Sequence, residues 1–172
     1  PIGTRANLKA YNYRVAEKLN DGSYRMVCEE TGSGPNGLKG EVTMIDFVDG
    51  LNSCVITELL TPGEDYESQD SFYKRYLESF TTTSFAGNIA AYKEQLKAVA
   101  GIGGAKIYPA WNGGGTVKAV LISSDFTVPS EYLVSQVQEQ FCPTPSEGYG
   151  VAPIGHDFTA AAVTAENVTV KT

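Results

Sequence analysis

Four carboxylates crowd one short stretch of this chain, at Glu64, Asp65, Glu67 and Asp70, and Arg75 follows closely. Paired acids can serve as general acid and base, provided that a cleft holds them in environments that push their pKa values apart. The same residues also suit the entrance of a helix, where carboxylates cap free N–H groups and favour the positive dipole end. Arg75 lies five residues after Asp70 and ten after Asp65, so it is placed to bridge the acidic segment from within that helix. An ion pair of that kind fixes geometry more surely than it adds stability. Capping and pairing therefore account for the acids without a reaction.

The other chemically suggestive residues fare similarly. Gly101-Ile102-Gly103-Gly104 resembles part of a dinucleotide fingerprint, but here the glycines follow a helical pattern and precede a strand, the reverse of the order that motif needs. Gly113-Gly114-Gly115 lacks the Lys-Ser/Thr of a phosphate loop and reads as a turn between strands. His156 is the sole histidine and has no nearby Cys or Ser to activate. Cys28, Cys54 and Cys142 are widely spaced and odd in number, matching neither a zinc site nor a disulfide framework; free, buried thiols are expected. Trp111 beside Pro109 could stack on a sugar, although a lone Trp at a strand end more often anchors a core or an interface. No catalytic, cofactor-binding or metal-binding residue is assigned, and no cofactor is expected.

Composition narrows the remaining classes. Apolar residues make up 42% of the 172 and charged residues 19%, an ordinary globular balance with enough chain for one domain or two small ones. A net charge of -7 disfavours nucleic acid, whose binding depends on cations that displace counterions. No apolar run approaches the roughly 20 residues that span a bilayer, so no membrane contact is expected. The first residues, Pro1-Ile2-Gly3-Thr4-Arg5, show neither an initiator Met nor the charged-then-apolar order of a secretory signal, and suggest a piece of a longer protein.

The periodicities predict an α+β chain. Residues 1–62 read as a β-rich module: Tyr11, Tyr13 and Val15 alternate with polar residues, Asn20-Asp21-Gly22-Ser23 signals a hairpin, and Tyr24 to Glu29 is the return strand. Val42 to Phe47 and Ser53 to Leu60 are two further strands. From 63 to 165 the period changes. Phe72, Tyr73, Tyr76, Leu77 and Phe80 form an aromatic helical stripe with Ser68 as its cap. A second helix presents Ile89, Tyr92, Leu96 and Val99 on one face, begins at Asn88 and ends at Gly101. Strands near Ala105 to Tyr108 and Thr116 to Ile122 follow. A third helix then turns Leu133, Val137 and Phe141 inward, and a strand over Asp157 to Val163 completes the unit. This order predicts a small two-layer α/β sandwich of ferredoxin-like type, with an antiparallel sheet and helices on one face. Residues 166–172 alternate again, as the start of a further domain or a linker would.

Taken together, these residues resemble the baseplate J-like family of contractile phage tails and related injection machines. Three stretches carry the likeness. One is Tyr24 to Val42, with its acidic, glycine-rich loop and Asn36-x-x-x-Gly40. Another is Gly63-Glu64-Asp65-Tyr66-Glu67-Ser68 with Lys74-Arg75. The third joins Gly87-Asn88, Tyr92-Lys93, Gly101-Ile102-Gly103, Tyr108-Pro109, Trp111-Asn112-Gly113 and Gly115-Thr116-Val117, and Ala152-Pro153-Ile154-Gly155 also fits. The family usually has a double glycine where this chain has Pro62-Gly63, so a slightly different turn is expected. The resemblance implies a structural, non-enzymatic subunit of the baseplate wedge, in six copies around the tail hub. It would sit in the virion tail after assembly in the host cytoplasm, with wedge and hub proteins as partners. Isolated, the chain is expected to be monomeric or weakly associated, with some apolar residues of the β-rich half or the last strand exposed. A tail-borne cell-wall hydrolase or glycan-binding module is the alternative.

Overall fold

A computed structural model describes residues 1–81 and 87–166. The chain divides into two compact units, Pro1–Leu59 with Gly63–Asp65, and Leu60–Pro62 with the chain from Tyr66 onward.

In the first unit, β1 (Arg5–Leu8), β2 (Tyr11–Lys18) and β3 (Tyr24–Cys28) form an antiparallel meander. The predicted hairpin joins β2 to β3, and the Asp21 carboxylate accepts from both the N–H and the hydroxyl of Ser23. The predicted strand over Val42 to Phe47 is instead two short pieces. The first, β4 (Gly40–Glu41), pairs with β6 (Val55–Ile56), all that forms of the strand expected over Ser53 to Leu60. The second, β5 (Thr43–Met44), joins the edge of β1, giving the sheet order β3-β2-β1-β5. Val42 sits at the switch: its side chain is buried, and its N–H donates to the Cys54 carbonyl at 3.0 Å. One extended run thus serves two sheets, which alternation along one strand cannot reveal. The core is small: Ala6, Leu8, Tyr13 and Val42, flanked by Met26, Leu38, Met44 and Ile56. Strand β1 escaped prediction because Ala6, one of its two inward residues, is too small to register as a strand former.

The second unit begins with α1 (Gln69–Thr81), where the Ser68 hydroxyl accepts from the Ser71 N–H as predicted. Next come α2 (Ile89–Lys97), β7 (Ile102–Pro109), β8 (Thr116–Ser123), α3 (Glu131–Phe141) and β9 (Asp157–Ala162). Asn88 caps α2 by accepting from the Ala91 N–H at 2.7 Å. Gly101, at φ +87°, then turns the chain into β7. Ser130 caps α3 and donates its own hydroxyl proton to the Leu60 carbonyl at 2.6 Å. Helix α2 packs on β7 and α3 on β9. Along β8 every second residue, Val117, Ala119, Leu121 and Ser123, turns towards the helices. The first three meet Tyr92, Leu96, Leu133, Val137, Phe141 and Phe158 in one apolar core. Of the predicted α2 face, Tyr92 and Leu96 are buried, whereas Ile89 is exposed.

The sheet is not the antiparallel one predicted. Its order is β7-β8-β9, with β7 antiparallel to β8 but β9 parallel to β8. Helix α3 is the crossover that a parallel neighbour requires. Because β9 lands directly beside β8, the split spacing of a ferredoxin-like sheet does not arise among the described residues.

The side chain of Phe80 and the alternating run from Asn167 to Lys171 lie outside the described residues.

Candidate interaction surfaces

The acidic segment does not converge on a site. Asp65 folds back within the first unit, where Oδ1 accepts from the Ser33 N–H at 2.8 Å and Oδ2 from the Ser33 hydroxyl. Next to it the Asn36 side chain both donates to the Gly63 carbonyl and accepts from the Gly63 N–H, each at 2.8 Å. The Asn36 and Gly63-x-Asp65 elements of the family likeness are therefore two halves of one loop clamp. Glu67, in the second unit, takes Arg75 in a two-pronged pair at 3.1 and 2.9 Å. Arg75 is thus partnered by Glu67, not by Asp65 or Asp70 as its sequence spacing suggested. Residue 67 precedes the helix, and its carboxylate reaches forward over the first turns. A carboxylate held in a fork by a guanidinium is an anchor and is poorly suited to act as a proton donor.

These bonds lower the carboxyl pKa values. The Ser33 hydroxyl, then its N–H, holds Asp65 below the usual carboxylate value, and the Arg75 hydrogen bonds do the same for Glu67. A carboxyl with a depressed folded-state pKa contributes stability that is present above its unfolded value, about 4, and is lost as pH falls through the folded value. Denaturant titrations of Asp65→Asn between about pH 5 and pH 2 are expected to show a flatter acid limb than the parent. Identical limbs would mean that the clamp does not persist in solution.

The glycine clusters shape the backbone, Gly103 through a close approach and Gly113 and Gly115 through positive φ. A Cβ on Gly103 would lie 2.5 Å from the Ser123 carbonyl oxygen, at the point where the β7–β8 register slips between Ile102 and Gly104. At the far end of the hairpin, the Thr116 hydroxyl donates to the Gly113 carbonyl and accepts from the Asn112 N–H. His156 lies exposed on the loop before β9. Of the three free cysteines only Cys142 is buried; Cys28 and Cys54 are half-buried, less than expected. Among the described residues no three His, Cys, Asp or Glu side chains gather to hold a metal, and no helix is long and apolar enough to cross a membrane.

What the surface does offer is apolar area. Phe72, Tyr73, Tyr76 and Leu77 of α1 are each about half exposed, with the Phe72 and Tyr76 rings stacked at 6.4 Å. In the first unit Ile45, Leu51 and Val55 are exposed and Phe47 is 92% exposed, as expected for the β-rich half. Strand β9, by contrast, is at least half-buried throughout. Trp111, read as a core or interface anchor, is not a core residue: it is 47% exposed, with the Lys118 ammonium 5.0 Å from its ring centre. Its sequence neighbours did not reveal this, because Lys118 reaches it only through the β7–β8 pairing.

Residues 84–162, which contain the whole β7–β9 sheet with α2 and α3, match the sequence profile described as the Baseplate J-like central domain. This stretch belongs to the baseplate J-like family. The chain is 34% identical over 173 residues to Phage-like element PBSX protein XkdT of Bacillus subtilis (strain 168), a match covering 99% of this chain and 47% of that protein. It is 32% identical over 157 residues to Uncharacterized protein YqbT of the same strain, covering 90% of this chain and 44% of that protein. The chain therefore spans a little under half the length of these curated relatives. Within the baseplate J-like match lie α2, the Gly103 bulge and the Trp111 turn, and both glycine clusters have structural roles there.

Proposed function

We propose that this chain is a non-enzymatic structural subunit of a phage or prophage-derived tail baseplate. More finely, it is part of a baseplate wedge that joins hub to periphery and rearranges when the sheath contracts. The Baseplate J-like central domain match over 84–162 carries this reading. The geometry agrees with it: the acids that could have formed a reaction centre hold loops together, while large apolar side chains lie on the surface. Exposed aromatic and aliphatic residues are what subunits present when partners complete their interfaces.

The experiment is affinity purification of the tagged full-length protein from a lysate producing tail particles, followed by electron microscopy of the particles. Co-purification with other tail proteins, and a tag located at the baseplate, are expected. A tag absent from assembled particles would overturn the proposal. The hydrolase alternative is checked on peptidoglycan with the parent and Glu67→Gln, and turnover that disappears with that substitution would establish an enzyme.

A further inference from the structure

The face of the β7–β9 sheet that turns away from α2 and α3 carries an alternating row of cations and rings. Lys106 and Tyr108 are two residues apart on β7, hence on the same face. Tyr108 pairs across the ladder with Lys118 on β8, which places Lys118 beside it on that face. The Lys106 ammonium lies 5.2 Å from the centre of the Tyr108 ring, and the Lys118 ammonium lies 5.0 Å from that of Trp111. The row thus runs Lys106, Tyr108, Lys118, Trp111. Lys106 is exposed, and the two rings are 40% and 47% exposed.

Two further observations give this row a direction. Strand β7 is an edge: the sheet order is β7-β8-β9, and among the described residues no other strand pairs with it. And in a chain with 20 acidic against 13 basic residues, neither lysine forms a salt bridge among the described residues. On the same face Lys118 lies opposite Thr159, and Asp157, the nearest acid of β9, accepts from the Ser146 hydroxyl. The cations lie over aromatic faces, which holds them in place; Lys106 is open to an anion and Lys118 is half-buried.

We propose that the β7 edge receives an extended acidic segment of a partner protein as an added strand. Main-chain hydrogen bonds to the edge would supply affinity, and carboxylates at alternate positions of the segment would fall beside Lys106 and within reach of Lys118. Side chains two apart on a strand share a face, so acids alternating with β-branched residues suit this surface. The inference goes beyond the structural role above by naming the chemistry of one partner, and it can be tested without any particle.

Trp111 is the only tryptophan and lies within the row, so its emission reports local binding. The probe is a seven-residue peptide alternating glutamate with valine, compared with its glutamine counterpart, on the full chain at low salt. A saturable change in Trp111 emission is expected with the glutamate peptide, weakened at least tenfold with the glutamine peptide or at high salt. The double variant Lys106→Glu/Lys118→Glu, checked for retained fold by circular dichroism, is expected to abolish it. Equal responses to both peptides, no response at all, or unchanged binding by the double variant would each overturn the proposal. An edge lysine can also serve only to prevent strand-to-strand association. Self-association of Lys106→Gln in sedimentation, combined with silence towards the glutamate peptide, would replace the proposal with that reading.

Discussion

Phe141→Ala is expected to destabilise the second unit by about 3–5 kcal/mol, the range for removing a fully buried aromatic ring. The Phe141 ring is 0% exposed and belongs to a three-ring cluster, 4.9 Å from Phe158 and 6.4 Å from Tyr92 between centroids. It belongs to the last turn of α3, and its loss would leave a void between that helix, α2 and β9. Urea unfolding followed through Trp111, which reports on this unit alone, is the measurement. Phe141→Leu is expected to cost less than half as much, because most of the volume is kept. A shift below about 1 kcal/mol for Phe141→Ala would mean that the three rings do not pack as described.

Gly103→Ala should have the next largest effect, about 1–3 kcal/mol of destabilisation from overpacking. The added methyl would sit 2.5 Å from the Ser123 carbonyl oxygen and 2.8 Å from the Ser124 Cα, both main-chain atoms that no rotamer change can move aside. To accommodate it, the β7–β8 ladder would have to open at its bulge. Gly114→Ala is the matched control, since a Cβ there meets nothing within 4 Å and the backbone is not in the left-handed region. It is expected to be nearly neutral. Equal costs at the two sites would show that the close contact at Gly103 does not decide the outcome.

The helices and the core of the second unit were legible from spacing because both signals are local. Asn88 and Ser130 cap helices through bonds to residues three positions on, and Leu133, Val137 and Phe141 recur at the helical period. The family likeness was legible for a related reason, since its glycines and the Asn36–Gly63 clamp mark places where the backbone allows little else.

Several features were decided only by residues distant in sequence. Whether β9 would lie beside β8 or a strand's width away depends on where α3 sets it down, and no residue of β9 records that choice. The run from Gly40 to Met44 divides between two sheets because β1 and β6 compete for it from opposite ends of the unit. Arg75 could have bridged any of several acids; Glu67 is the one whose carboxylate meets both prongs of the guanidinium. The cation–aromatic row exists only once β7 and β8 pair, because register places Lys118 beside Tyr108. Which residues favour a helix, a turn or burial is decided locally, since those preferences act within a few bonds. Strand neighbours, charge partners and the identity of the exposed aromatics rest on long-range pairing, which only the folded chain specifies.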